Sequence, residues 1–291
     1  MPTPRLLYLL TPPALLTFTI HRGLLHLETQ YPAVPPGPAS HSPALLTPAH
    51  PATQRCAAVD IYQARVPVAA LLRTARKTLQ QAAAAAADSH RDGPETQFDA
   101  SQPSLRKAWA VVFLTSPILT TEAKLVGLLR TGTFQPGDRG LSIEGFGHPA
   151  APDRQRKREL INGVLTVERA PDSSSSSSSH GLLVSWTMPD APREFFEYLA
   201  GRWRYPYRLM SGGRHEWSVS EPYLVGAAAE AGGDGPPGEE WVVDVRFASA
   251  HDYEVVAAEG EDQKVIPGWT GRLHRGYARL LLLNAVHQIQ G

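Results

Sequence analysis

The stretch GGRHEWSVSEPY, residues 212 to 223, places several chemically capable side chains in a segment that alternates like a β-strand. Alternate residues of a strand lie on the same face of a sheet. One face is therefore polar, with Arg214, Glu216 and Ser218, and the other combines a histidine with apolar groups, His215, Trp217 and Val219. Only the second face is apolar enough to predict that it lines a core or a cavity.

A second strand-like segment, residues 240–256, repeats this combination. One of its faces carries Trp241, Val243, Val245, Phe247, Ser249, His251, Tyr253 and Val255. The two segments are neighbours in sequence and are joined by a Gly/Pro-rich tract, which predicts that they pair as a hairpin with a long loop. Both histidines would then lie on the same face as large aromatic side chains.

Such a face has the composition of a small-molecule site, which is mostly apolar with a few polar groups. We expect His215, His251 and Tyr253 to be catalytic groups, because a partly buried histidine titrates near neutrality and can act as a general acid or base. The expected substrate-binding residues are Trp217, Trp241, Phe247 and Tyr277. The alternative interpretation is structural: each histidine bonds a backbone carbonyl, and each tryptophan is an ordinary core residue.

The usual cofactor and hydrolase motifs are missing from the sequence. It contains no G-x-G-x-x-G after a strand, no P-loop, no H-E-x-x-H and no G-x-S-x-G. His215, His251 and His274 could in principle meet at a metal ion, but no carboxylate accompanies them at a fixed helical spacing. We therefore expect neither a cofactor nor a metal.

The composition narrows the class of partner. Lys and Arg number 28 and so do Asp and Glu, which argues against a dedicated nucleic-acid binder. Cys56 is the only cysteine, so no intrachain disulfide forms, and an intracellular location is favoured.

The N-terminal apolar run, Leu6 to Ile20, is shorter than the ~20 residues of a spanning helix. It is consistent with a surface helix or strand, a targeting segment or a membrane anchor, so membrane association through this segment stays open.

The predicted organisation is an apolar segment over residues 1–30, a Pro-rich linker over 31–56 and a single domain over 57–291. Three low-complexity tracts are expected to be enlarged surface loops: 88–102, 173–179 and 227–238. The alternation and the helical periodicity of the rest predict strands over 58–66, 140–145, 160–168, 181–187, 214–220 and 240–256, and helices over 68–87, 104–114, 122–130, 192–203 and 269–289. Leu125, Leu128 and Leu129 would share one helix face.

This order resembles the START-like, helix-grip superfamily (also called SRPBCC), in an uncharacterised branch. The resemblance rests on a strand like VDIYQARV, helices like RKAWAVVFLTSP and AKLVGLLR, and a later strand like GGRHEWSV. It covers roughly residues 58 to 290, and the helix at 192–203 would be an insertion or a bridge. It implies an α+β fold in which a curved antiparallel sheet surrounds a long C-terminal helix and an apolar cavity.

Members of that superfamily bind lipids, polyketides or hormones, and a few catalyse cyclisation or isomerisation. The resemblance therefore implies that the partner is a hydrophobic small molecule. An acid/base cyclase or isomerase acting on a polyketide- or terpenoid-like substrate would suit the two histidines. A non-catalytic lipid carrier or membrane-associated adaptor is the alternative.

Overall fold

The structure is a computed structural model that describes residues 4–38, 40–87, 101–142, 145–147, 157–171, 181–226 and 239–291. The three predicted loop insertions at 88–102, 173–179 and 227–238 lie outside these ranges, apart from residues 101 and 102.

The chain forms an α+β fold, as predicted. Its helices are α1 (Pro4–Gln30), α2 (Pro43–Leu46), α3 (Val68–Ala87), α4 (Gln102–Leu114), α5 (Pro117–Thr131), α6 (Asp190–Arg202) and α7 (Gly268–Gln290). Its strands are β1 (Gln54–Pro67), β2 (Glu159–Leu160), β3 (Leu165–Arg169), β4 (Leu182–Thr187), β5 (Gly212–Val219), β6 (Tyr223–Gly226) and β7 (Glu239–Glu254).

The seven strands form one antiparallel sheet in the order β1-β7-β5-β4-β3-β2, and β6 pairs with the beginning of β7. The predicted pairing of the 212 and 240 segments is confirmed: β5 lies antiparallel to β7, with His215 opposite Ser249 and Trp217 opposite Phe247. With the C-terminal helix α7 packed on it, this open sheet is compatible with a helix-grip fold.

The main core lies between one face of the sheet, here called the helix face, and helices α3, α4 and α7. Helix α4 is almost wholly apolar from Ala108 to Leu114, and each of these residues is buried. This apolar character on all sides fits a helix enclosed by other elements. The core therefore has α4 at its centre, with β5 and β7 beneath it.

The opposite face of the sheet, the strap face, is covered by a short segment, residues 40–46, here called the strap. Leu45 packs there with Ile61, Leu183, Ala248 and Ala250. The strap belongs to the Pro-rich region in which the sequence suggests a linker. Part of that region is thus a component of the folded domain.

The two charged side chains of β5 on the strap face, Arg214 and Glu216, are bonded through all of their charged atoms. The Arg214 guanidinium donates to both oxygens of Asp252 and, through Nε, to the Leu45 carbonyl at 2.7 Å. The Glu216 carboxylate accepts from the backbone N–H of Ser42 at 3.2 Å and from its hydroxyl, and Arg169 lies 3.6 Å away. Both charged side chains are thus held by Asp252, Arg169 and the strap.

Two local predictions differ from the structure. Residues 140–142 form no strand, and the predicted strand at 160–168 is a tight hairpin of β2 and β3, turned by Ile161 and Asn162 at positive φ. Helix α5 buries Leu119, Ala123 and Gly127 and exposes Leu125, Leu128 and Leu129. The small residues allow the Asn162 amide to reach the Ala123 carbonyl at 2.9 Å, so the leucine face turns outward.

No single helix among the described residues is long and apolar enough to cross a membrane. One pair of helices, over 104–114 and 117–131, would meet the length and composition test only when taken together, across a bend of 62°.

Candidate functional site

A cavity of about 310 Å³ lies between the helix face of the sheet and helices α4, α5 and α7. Apolar side chains make up most of its wall, and a few polar groups join them. The lining residues are Phe113, Leu119, Glu122, Val126, Ile161, Val164, Leu165, Trp186, His215, Trp217, Phe247, His274, Tyr277 and Leu281. The volume lies at the lower end of the ~300–1,000 Å³ of small-molecule pockets.

An aromatic cluster forms the floor of the cavity. The Phe113 ring of α4 lies 5.4 Å from the Trp217 ring and 4.9 Å from the Phe247 ring, measured between centroids. His215 lies 5.3 Å from Phe247 and 6.1 Å from Trp217. These contacts follow from the β5–β7 register, which sets residues 215, 217 and 247 side by side on one face.

The wall continues onto β4 through Trp186, whose ring is nearly parallel to that of His215 with a centroid separation of 6.2 Å. Its strand partner is Gly213. A Cβ atom on Gly213 would overlap the Ala250 carbonyl oxygen and come within 2.9 Å of Trp186 Nε1, closer than real Cβ contacts allow. The glycine therefore makes room for the indole beside the histidine.

Three buried nitrogen atoms of these rings lack a hydrogen-bond partner within the described part of the chain: Trp186 Nε1, His215 Nδ1 and Trp217 Nε1. Ten buried side-chain atoms are unpartnered in the described ranges, and the other seven belong to no lining residue. Buried polar groups are normally bonded, and leaving one unpaired is costly. The cavity wall thus concentrates unused hydrogen-bonding capacity.

The histidines near the cavity are neutral at ordinary pH. Burial, with smaller contributions from His251 and His274, lowers the pKa of His215 to about 3. Burial also lowers the pKa of His251 to about 3 and shifts the pKa of His274 downward, and Arg275 adds to both effects. Because His215 lines a cavity, part of its surface stays accessible while the surrounding protein still removes it from bulk water.

His251 and His274 form a direct pair, with 2.9 Å between their Nε2 atoms and 4.6 Å between ring centroids. The Ser249 hydroxyl lies 3.1 Å from the same His251 nitrogen. Two neutral imidazoles can bond in this way only when one nitrogen donates and the other accepts, so the rings adopt different tautomers. His274 borders the cavity, and His251 lies behind it.

Tyr277 and Glu122 stand at the mouth. They line both the cavity and an outer groove of about 570 Å³, which Pro117, Ile118, Thr121 and Leu125 complete. The Tyr277 hydroxyl donates to the Glu122 carboxylate. Burial, and then this bond to the carboxylate, raise the pKa of Tyr277, which keeps the phenol protonated. The α5–α7 contact therefore separates the interior from the surface.

The structure brings four of the seven predicted site residues to the cavity: His215, Trp217, Phe247 and Tyr277. His251 does not line the cavity itself, but it contacts His274, which does. Tyr253 is buried further along β7, where its hydroxyl accepts the Ile266 N–H at 3.4 Å. Trp241, at the beginning of β7, is 55% exposed and lies away from the lining.

Three features of the cavity were not predicted from the sequence: Trp186, Glu122 and the position of His274 in the lining. Trp186 has the same strand parity as Leu182 and Val184, so its inward orientation could have been found from the alternation. His274 precedes Tyr277 by three residues and Leu281 by seven, a helical spacing that places all three on one face. Glu122 carried no comparable signal, because its position depends on how α5 packs.

Within the described ranges, no group of three or more His, Cys, Asp or Glu side chains is arranged to hold a metal ion. Comparisons of the chain with models of protein families, with curated proteins and with solved structures find no match.

Proposed function

We propose that this protein binds a hydrophobic small molecule in the cavity between its sheet and helices α4, α5 and α7, in the manner of a START-like protein. One observation carries the proposal: an apolar, aromatic cavity whose wall holds three buried ring nitrogens without partners among the described residues. An apolar wall favours an apolar ligand. Unpaired buried polar atoms favour a ligand that bonds them.

The neutral dye Nile red tests this proposal, because its emission increases in an apolar environment. We expect saturable binding by the wild-type protein. Val126→Trp should abolish binding by filling the cavity from α5, whereas the matched control Leu129→Trp should bind normally. Position 129 lies on the same helix, is 86% exposed and lines neither the cavity nor the groove. Equal binding by both folded variants would contradict the proposal.

Acid/base catalysis is the second proposal, and the imidazoles of His215 and His274 at the cavity are the observation that favours it. A cyclase or isomerase acting on a polyketide- or terpenoid-like substrate would use one imidazole to remove a proton α to a carbonyl. An efficient general base has a pKa near the working pH, however, and burial lowers the pKa of His215 to about 3. The electrostatics therefore support binding better than catalysis.

Incubation with an extract of apolar metabolites, followed by chromatography and mass spectrometry of the recovered small molecules, separates these two proposals, because an isomer keeps the mass of its substrate but changes its retention time. A carrier should return its compound unaltered in both mass and retention time, in the wild type and in His215→Asn. A catalyst should release an altered compound, and His215→Asn should stop the alteration while leaving the melting temperature nearly the same. A compound that is altered equally by wild type and variant would remove His215 from the chemistry.

A membrane-associated carrier or adaptor is an alternative form of the binding proposal, and the exposed apolar side chains of α1 support it. Leu15, Leu16 and Phe18 are each about 60% exposed on this helix, whose C-terminal part is held to α7 by the Glu28–Arg272 ion pair at 2.8 Å. Flotation with phosphatidylcholine vesicles should detect wild-type protein in the lipid fraction. The double substitution Leu15→Asp and Phe18→Asp should remove the protein from the lipid fraction. An unchanged distribution would contradict membrane association through α1.

A further inference from the structure

Two of the unpartnered cavity atoms are indole nitrogens, which fixes their hydrogen-bonding role. An indole N–H donates and never accepts, so Trp186 and Trp217, whose side chains line the cavity, are two buried donors without an acceptor among the described residues. Trp217 is only 2% exposed, and water is thus largely excluded from its ring. His215 Nδ1 lies on the ring between them and can donate or accept, depending on its tautomer.

Trp109 shows that the same aromatic cluster satisfies an indole where no cavity is involved. Its Nε1 donates to the Arg246 carbonyl at 2.9 Å, and its ring lies 5.4 Å from Phe113. Trp217 contacts the same Phe113 ring, yet its N–H has no partner in the described part of the chain. The difference between these two buried tryptophans is that Trp217 borders the cavity and Trp109 does not.

The charges of the lining restrict the ligand further. Among the described residues that line the cavity, none is lysine or arginine, and the only carboxylate is that of Glu122 at the mouth. The two histidines of the lining are neutral, since burial lowers the pKa of each. A carboxylate or phosphate ligand would lose its hydration without gaining a cationic partner, which is strongly unfavourable.

We infer that the natural ligand is an uncharged, largely apolar molecule that carries a hydrogen-bond-accepting oxygen, such as a ketone, ester or ether, which receives the indole N–H groups of Trp217 and Trp186. The inference rests on the proposed function and specifies the ligand of the same cavity. It assigns Trp217, Trp186 and His215 as the polar recognition wall, and the rings of Phe113 and Phe247 as the apolar floor.

Three naphthalenes of similar size test the inference: 2-acetylnaphthalene is a neutral ketone, 2-ethylnaphthalene replaces the carbonyl oxygen with hydrogen, and 2-naphthoate is an anion. Isothermal titration of the wild-type protein should give affinities in that order. A hydrogen bond to a buried, otherwise unpaired donor should favour the ketone over the hydrocarbon by about tenfold. The anion should show no binding at concentrations that saturate the ketone.

Variants locate the effect. Trp217→Phe should cancel the ketone's advantage over the hydrocarbon, because it removes the N–H; the smaller ring reduces apolar contact with both ligands alike, so the ratio of the two affinities is the readout. Trp241→Phe, on the exposed tryptophan of β7, should leave all three affinities unchanged. The infrared carbonyl stretch of bound 2-acetylnaphthalene should lie at a lower frequency in the wild type than in Trp217→Phe.

The outcomes separate the two levels of the argument. Equal binding of ketone and hydrocarbon, or tighter binding of the anion, would overturn the assignment of ligand class and leave the binding function standing. Binding of none of the three by a folded protein that also fails to bind Nile red would overturn the proposed function itself. An unchanged ratio of ketone to hydrocarbon affinity in Trp217→Phe would overturn the role of its N–H.

Discussion

The two faces of β5 bury polar side chains in opposite ways. On the strap face, Arg214 and Glu216 use all of their charged atoms, in bonds to Asp252, Leu45 and Ser42. On the helix face, one residue along, His215 Nδ1 and Trp217 Nε1 at the cavity have no partner within the described ranges. Polar groups bonded within the chain stabilise a fold, whereas unbonded ones become useful only when a ligand arrives. Burial alone therefore does not distinguish a structural polar residue from a recognition residue.

The largest effect should follow from breaking the strap face. Asp252→Ala leaves the buried Arg214 cation without its carboxylate, which should lower the free energy of unfolding by about 3–5 kcal/mol in urea titrations. Lys157→Ala is the comparison, because it breaks an ion pair with Glu168 in which the lysine side chain is 54% exposed. It should lower the free energy of unfolding by less than about 1 kcal/mol. Similar costs for the two variants would contradict the structural role of the Arg214–Asp252 pair.

Acidification should act on the helix face. The pKa of His215 is about 3 in the folded protein and 6.5 ordinarily, so the unfolded chain binds the proton more readily between these values. The stabilising contribution is complete above pH 6.5 and is lost as the pH falls toward 3. Relative to His215→Phe, which cannot titrate, the wild type should lose roughly 2–3 kcal/mol between pH 7 and pH 4.5. Parallel curves for the two proteins, measured by urea unfolding, would show that His215 is not desolvated.

A smaller effect compares two buried tryptophans. Trp109→Phe removes the hydrogen bond from the indole N–H to the Arg246 carbonyl, whereas Trp217→Phe removes an N–H that had no partner in the described chain. The first variant should therefore be less stable than the second by about 1 kcal/mol in thermal unfolding. The reverse order would mean that Trp217 has a partner in the free protein.

The smallest effect on stability is expected at the mouth. Tyr277→Phe removes the hydroxyl that bonds Glu122 and should speed the association of Nile red in stopped-flow measurements, while the free energy of unfolding changes by less than about 1 kcal/mol. Tyr223→Phe is its matched control, because it removes a tyrosine bond to Asp244 at 2.9 Å away from the cavity lining. Equal association rates for both variants and the wild type would exclude the Tyr277–Glu122 contact as the barrier to access.

Much of the fold could be predicted from the sequence, because alternation places His215 and Trp217 on one face and periodicity identifies α3, α4, α6 and α7. The strap could not, since its sequence is rich in proline and its burial depends on bonds to Glu216 and Arg214, which are far away in sequence. The outward turn of α5 also escaped sequence reasoning. The sequence predicted that Leu125, Leu128 and Leu129 share one face, but it did not indicate that close approach of the backbone buries Ala123 and Gly127 instead.

The candidate site was predictable to the same extent. Strand parity identified residues 215, 217 and 247, because they lie on the same face of two paired strands. Strand parity could not show where along a strand the cavity ends. For this reason Tyr253 and Trp241 were predicted to be site residues, although neither lines the cavity. The bonding state of each ring nitrogen is a property of three-dimensional packing and has no signature in the sequence.

The most direct test of the central claim is an NMR titration of the ¹⁵N-labelled indole groups with 2-acetylnaphthalene. The Trp217 and Trp186 N–H resonances should move downfield on binding, since both gain an acceptor, while the resonance of Trp109, whose N–H already bonds the Arg246 carbonyl, should stay in place. Stationary Trp217 and Trp186 resonances at saturation would contradict the claim that the unpaired nitrogens of the helix face are the recognition groups.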